Sequence, residues 1–227
     1  MSASVKTTER MGHVNPELDH ILDALIEVAR PIIRTEFHAG SCIVSTRIAI
    51  DALDYFGVKA EPKTIMAIAL NKVAVDLLQD LTLDEVSKIA MQHSHEDEEG
   101  PWTIMAGSGR ANSEPNNTSW AGHLIATIPE ESILIDLSID QMSRPVKKIV
   151  LEPYWVRMPD KNWWAGVGGG SLPLRGPDGV VMLLNYSAPD PEGYLVSNNW
   201  DITRFPENRT VIKKVTGQVI REMKALL

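Results

Sequence analysis

Apolar residues recur at helical spacing over Leu18, Ile21, Leu22, Leu25 and Val28 or Ala29. Glu17, Asp19, Asp23 and Glu27 fall mostly on the other side, so the stretch reads as an amphipathic helix. Asn15-Pro16 supplies an N-cap followed by proline at the first helical position. Pro31 is expected to kink or end this helix, with a short continuation through Ile32, Ile33 and Phe37 as the alternative. A second helix carries a buried stripe of Ile48, Ala49, Ala52, Leu53 and Phe56. Ser41 is its N-cap and Gly57 its natural stop. Thr82-Leu83-Asp84-Glu85 is a capping box opening a helix to about Met91. Thr210 to Leu227 forms a terminal helix, with Val211, Val215, Val219 and Met223 on one face.

Between these helices the period changes. Thr64 to Leu70 is a continuous apolar run of strand length, and Val73 to Leu78 fits either helix or strand. Gly122 to Ile128 and Ile133 to Leu137 are strand-like and separated by Pro129-Glu130-Glu131-Ser132, the best hairpin signal in the chain. Tyr154 to Trp164 carries Trp155, Trp163 and Trp164, and Val180 to Tyr186 and Gly193 to Ser197 suggest further strands. His93 to Gly100 reads as an acidic turn, and Gly107 to Ser119 as a loop. Gly166 to Gly179 reads as a glycine- and proline-rich loop. Helices first, then strands, then a helix predict an α+β fold with a mainly antiparallel sheet. Residues 1–14 look like a loose tail, which leaves 15–227 as one α+β domain.

Composition narrows the function. The 227 residues are 44% hydrophobic and 23% charged, enough for a sizeable core. A formal net charge of -8 argues against a nucleic-acid or anionic-membrane surface. No apolar run reaches the roughly 18 residues of a membrane helix, and Met1 to Gly12 lacks the apolar segment of a signal peptide. A single cysteine excludes an internal disulfide framework and a cysteine-rich zinc site. The expected location is the cytoplasm, where a free thiol survives. No cofactor or metal is expected.

That cysteine, Cys42, falls in the first turn of the second helix. Unpaired backbone N–H groups and the positive end of the helix dipole lie there, and both stabilise a thiolate. A nucleophilic cysteine needs a base and a group to orient that base. The hairpin offers both. With Pro129 to Ser132 as its loop, Ile128 pairs with Ile133, His123 lies opposite Ser138, and Ile125 lies opposite Asp136. Side chains alternate along a strand, so His123, Ile125, Asp136 and Ser138 share one face. His123 and Asp136 become diagonal neighbours, roughly 7–8 Å apart at the backbone. A slip of one residue separates them onto opposite faces. The predicted catalytic set is Cys42 as nucleophile, His123 as base and Asp136 as orienter. The N–H of Cys42 supplies one oxyanion donor, with His38, Trp120 or Asn117 as candidates for the second.

Each residue also has a plainer use. A cysteine opening an amphipathic helix serves as a small core residue, and an aspartate ending a strand serves as a turn residue. Asp140 is the alternative orienter if the hairpin loop differs. His93 and His95, beside Glu96 to Glu99, have metal-ligand chemistry but read as a solvated acidic turn. Gly168-Gly169-Gly170 is not a phosphate loop, because no Gly-Lys-Ser/Thr follows. Its loop is read as flexible, with a lid over the site as its functional use. Trp155, Trp163 and Trp164 divide between a binding groove and core packing. Asn116-Asn117-Thr118 matches the glycosylation pattern only formally.

The order of these features carries a likeness. Gly40-Ser41-Cys42, then Ala52-Leu53-Asp54-Tyr55-Phe56-Gly57-Val58-Lys59-Ala60 and an apolar strand, resemble the core of transglutaminase-like cysteine proteins. Gly122-His123-Leu124-Ile125-Ala126 resembles their histidine strand, and Leu134-Ile135-Asp136-Leu137-Ser138 their aspartate strand. The resemblance covers about residues 38–145 and implies a papain-like α+β fold. It implies the same roles for Cys42, His123 and Asp136. Two departures stand out: Leu124 and Ile125 are aliphatic where the family often has an aromatic residue, and Leu137 replaces a frequent proline. The expected activity is hydrolysis of a peptide or amide bond through a thioester. Acyl transfer to an amine and a non-catalytic binding module are the alternatives. The expected partner is a peptide, protein or small amide substrate.

Overall fold

The computed structural model describes residues 16–37, 42–93, 100–106, 123–144, 150–158, 170–175, 181–187 and 206–227. The expected tail over 1–14, the caps Asn15 and Ser41 and the loop at Gly107 to Ser119 lie outside them, as do most of the acidic turn and the strand at Gly193 to Ser197.

Helix α1 spans Pro16–Glu36 and does not end at Pro31. A proline inside a helix costs about 3 kcal/mol. Burying one isoleucine returns about 1.5–3 kcal/mol, and Ile33, beyond the proline, is fully buried. Arg34, one turn past Pro31, adds an ion pair with Asp140. Helix α2 spans Cys42–Tyr55. Gly57 ends it with a φ of +77°, a conformation an L side chain rarely adopts. The two-way segment after the first strand resolves as helix α3, Lys72–Leu77, whose N-cap Asn71 accepts from the N–H of Ala74 at 3.0 Å. In α4, Leu83–His93, the capping box forms. Glu85 accepts from the N–H of Thr82 at 2.8 Å, and Thr82 accepts from the N–H of Glu85 at 3.3 Å. Helix α5 spans Pro206–Leu226 and buries Ile212, Val215, Val219 and Met223.

The strands are β1 Glu61–Leu70, β2 Thr103–Ala106, β3 His123–Ile128, β4 Ile133–Asp136, β5 Tyr154–Arg157, β6 Gly170–Arg175 and β7 Val181–Ser187. They form one sheet in the order β5-β4-β3-β1-β7-β6, with β2 also paired to β1. Every pairing is antiparallel, so the fold is α+β as expected. β6 corrects the sequence reading, because part of the expected Gly166 to Gly179 loop is a strand. Pro173 is tolerated there because β6 is an edge strand, and glycine content alone does not prevent pairing with β7.

β2 and β3 lie end to end along one edge of β1. Ala67 pairs with Ala106, and Ile65 pairs with His123. β2 ends at Ala106 and β3 begins at His123. Helices α1, α2 and α5 pack on one face of β3, β4 and β5, around Leu22, Leu25, Ile48, Leu53, Ile135 and Val219. Ile65, Ile125, Leu134, Ile139 and Met158 fill a second cluster. Trp155 belongs to the helix-side core, with its indole N–H donating to Asp23 at 2.8 Å, so it packs rather than lining a groove. Among the described residues, no helix is long and apolar enough to cross a membrane.

Candidate active site

The hairpin folds in the expected register, with Ala126 opposite Ile135, Thr127 opposite Leu134 and Ile128 opposite Ile133. Ser132 closes its turn with φ of 55°. Alternation then sorts the side chains. Ala126, Ile128, Ile133 and Ile135 meet the helices, while Ile125 and Leu134 meet the second cluster. His123 and Asp136 share parity with Ile125 and Leu134 and therefore meet each other. The His123 Nε2–H donates to Asp136 Oδ2 at 2.8 Å, and both side chains are fully buried. The other carboxylate oxygen accepts from the N–H of Ser138 at 3.0 Å, with the Ser138 hydroxyl at 3.5 Å. Asp136 is thus fixed by the turn that follows its own strand.

Cys42 is the first residue of α2 and is buried. Two small polar residues fix that helix start. Thr46, one turn along the same face, donates to the Leu124 carbonyl at 2.9 Å. Ser45 accepts from Arg30 Nη1 at 3.4 Å. The first contact joins α2 to the residue after His123, and the second joins α2 to α1. Burial pulls the His123 imidazole down, but the charge and hydrogen bond of Asp136, followed by those of Cys42, outweigh it and push the ring up to about 10. Asp136 from β4 and Cys42 from α2 are thus both felt by the His123 ring on β3.

Asp140, the alternative orienter, does not reach the histidine. It sits on the 3-10 turn Ile139–Met142 and accepts from Arg30 Nε at 2.9 Å and Arg34 Nε at 2.7 Å. Its neighbour Gln141 takes a place the sequence did not suggest, with its amide nitrogen 2.6 Å from His123 Nδ1. A residue on a short turn carries no periodicity that would mark it. Ser45 and Thr46 did leave a trace, as polar residues three and four positions after Cys42 on its helix face. The suggested second oxyanion donors His38, Trp120 and Asn117 lie outside the described residues, as do Trp163, Trp164 and His95. Among the described residues, no group of three or more His, Cys, Asp and Glu side chains is placed to hold a metal.

An imidazole held by a buried carboxylate and facing a thiol at a helix start has the parts of a thiol-based nucleophilic site. No family model matches the chain, and no curated protein or solved structure matches it at a significant level.

Proposed function

We propose that the protein is a cysteine-dependent hydrolase acting on a peptide or amide bond. The observation that carries this reading is His123 bound at 2.8 Å to Asp136, with Cys42 opening the helix whose Thr46 hydrogen-bonds the carbonyl of the residue next to His123. A helix-start cysteine beside an antiparallel sheet, with histidine and aspartate on successive strands, also supports a papain-like core of the transglutaminase-like type.

In the proposed reaction the proton given up by the Cys42 thiol rests on His123, whose ring is held protonated near neutral pH, and the Cys42 sulfur attacks the carbonyl carbon. The carbon–nitrogen bond breaks as the His123 imidazolium returns its proton to the leaving nitrogen. This leaves a thioester on Cys42. Water then attacks the thioester while giving a proton to His123. The carbon–sulfur bond breaks, releasing a carboxylic acid, and the thiol is restored. Asp136 keeps the ring oriented and offsets its charge in both halves. An amine in place of water gives the acyl-transfer variant. The substrate class is a peptide, protein or small amide, and the cytoplasm suits its single thiol.

Burial favours one second reading. His123 and Asp136 are fully buried and Cys42 is 6% exposed, which suits a binding module that keeps the arrangement without turnover. Alkylation with iodoacetamide near neutral pH separates the two. A working site gives fast labelling of Cys42 that drops when His123 is replaced. Slow labelling indifferent to His123 favours the binding module. With p-nitrophenyl acetate, a burst stoichiometric with Cys42 reports the acyl-enzyme, and its decay with or without hydroxylamine separates transfer from hydrolysis.

A further inference from the structure

His123 is gripped at both ring nitrogens. Nε2 is committed to Asp136, which leaves Nδ1 as the ring's other hydrogen-bonding atom. Gln141 stands at that nitrogen, 2.6 Å away. We infer that Gln141 is a positioning residue, holding the His123 ring through Nδ1 and accommodating both of its protonation states. The inference rests on the thiol–imidazole reading proposed above.

The chemistry of the carboxamide suits this task. It ends in a donor and an acceptor. Its NH2 group donates to Nδ1 when the ring is neutral. After a half-turn of the amide, its oxygen accepts from the Nδ1–H of the imidazolium. A carboxylate in the same place serves only the charged ring, and an aliphatic side chain serves neither. Gln141 is thus a neutral partner for a group whose charge changes during turnover.

The turn that carries Gln141 is built to hold it still. Ile139 and Met142, at its two ends, are buried in the second core cluster. Asp140 is gripped by Arg30, with Nη2 2.6 Å from Oδ1, and by Arg34. Arg30 also donates to Ser45, three residues after Cys42. One guanidinium therefore couples the helix start that bears the thiol to the turn that bears Gln141. Among the described residues, the charged or titratable groups facing His123 are Asp136 from β4 and Cys42 from α2. Asp140, beyond Gln141, is balanced by its two arginines.

The test follows the His123 ring nitrogens by NMR titration in the full chain, alongside the pH profile of Cys42 alkylation. Gln141→Leu is expected to lower the His123 midpoint, and Gln141→Glu to raise it, each by about one pH unit. The high-pH limb of the alkylation profile is expected to move with it. Gln141→Met repeats the apolar arm if the leucine variant does not fold. Opposite shifts support the inference. Unmoved midpoints, or shifts in the same direction, overturn it. The titration needs no turnover. Opposite shifts in a protein that forms no acyl-enzyme therefore sink the hydrolase reading and leave the role of Gln141 standing.

Discussion

The Thr46 hydroxyl donates to the Leu124 carbonyl at 2.9 Å, joining the second turn of α2 to the start of β3. Cys42 lies one turn before Thr46 and His123 one residue before Leu124, so this hydrogen bond ties the helix near Cys42 to the strand start at His123. Thr46→Val keeps the shape and removes the donor. Leaving a buried carbonyl unpaired costs about 1–3 kcal/mol, read by chemical denaturation. A displacement of about 1 Å at a reacting pair costs on the order of 100-fold in rate, and Cys42 alkylation is expected to slow by up to that amount. Thr46→Ser, which keeps the hydroxyl, should retain most of the rate.

Asp136→Asn removes the counter-charge of His123 without changing its size. Breaking a buried ion pair from one side costs about 3–5 kcal/mol. The His123 titration midpoint is expected to fall, because Asp136 supplies the largest effect that raises it. Ring NMR and denaturation on the same variant read both effects. A midpoint that does not move would show that Asp136 does not govern the ring.

Stability should depend on pH through His123. Its folded value of about 10 lies above the reference value of 6.5, so the folded state holds the proton more tightly than the unfolded chain. The stability this supplies is fully present below pH 6.5 and is lost progressively as pH rises to about 10. The gap in stability between the native protein and His123→Gln should narrow across that window. A gap that is constant or widens with pH contradicts the assignment.

Arg30 and Arg34 share Asp140, but their surroundings differ. The Arg30 side chain is 5% exposed and that of Arg34 is 58% exposed. Arg34→Met is expected to cost about 1 kcal/mol or less, as for surface ion pairs. Arg30→Met should cost about 3–5 kcal/mol, because it strips a buried carboxylate of its inner partner. Equal effects would mean that burial does not set the strength of this cluster.

The hairpin was legible because strand alternation has a period of two. Once Ile128 met Ile133, parity brought His123 and Asp136 together without further information. The capping box and Gly57 were legible for a similar reason, since each is a local rule about backbone groups. The ties that aim the site were not. Arg30 and Asp140 are 110 residues apart, and no local period joins them. Asp19 looked like part of a solvated face but is buried against Arg157 at 2.7 Å, a partner supplied by β5. β6 was hidden by its glycine and proline content, which mark a loop except where an edge strand needs few donors.

The end-to-end placement of β2 and β3 on β1 has a consequence for how such a protein diversifies. The ladder from Ile65 to Glu61 sets the position of His123, whatever length of chain joins Ala106 to it. Doubling a connecting segment costs only about 0.6 kcal/mol in closure entropy. A change in the length of the segment joining Ala106 to His123 therefore carries little thermodynamic cost. The strand that bears His123 keeps its register on β1 through such a change.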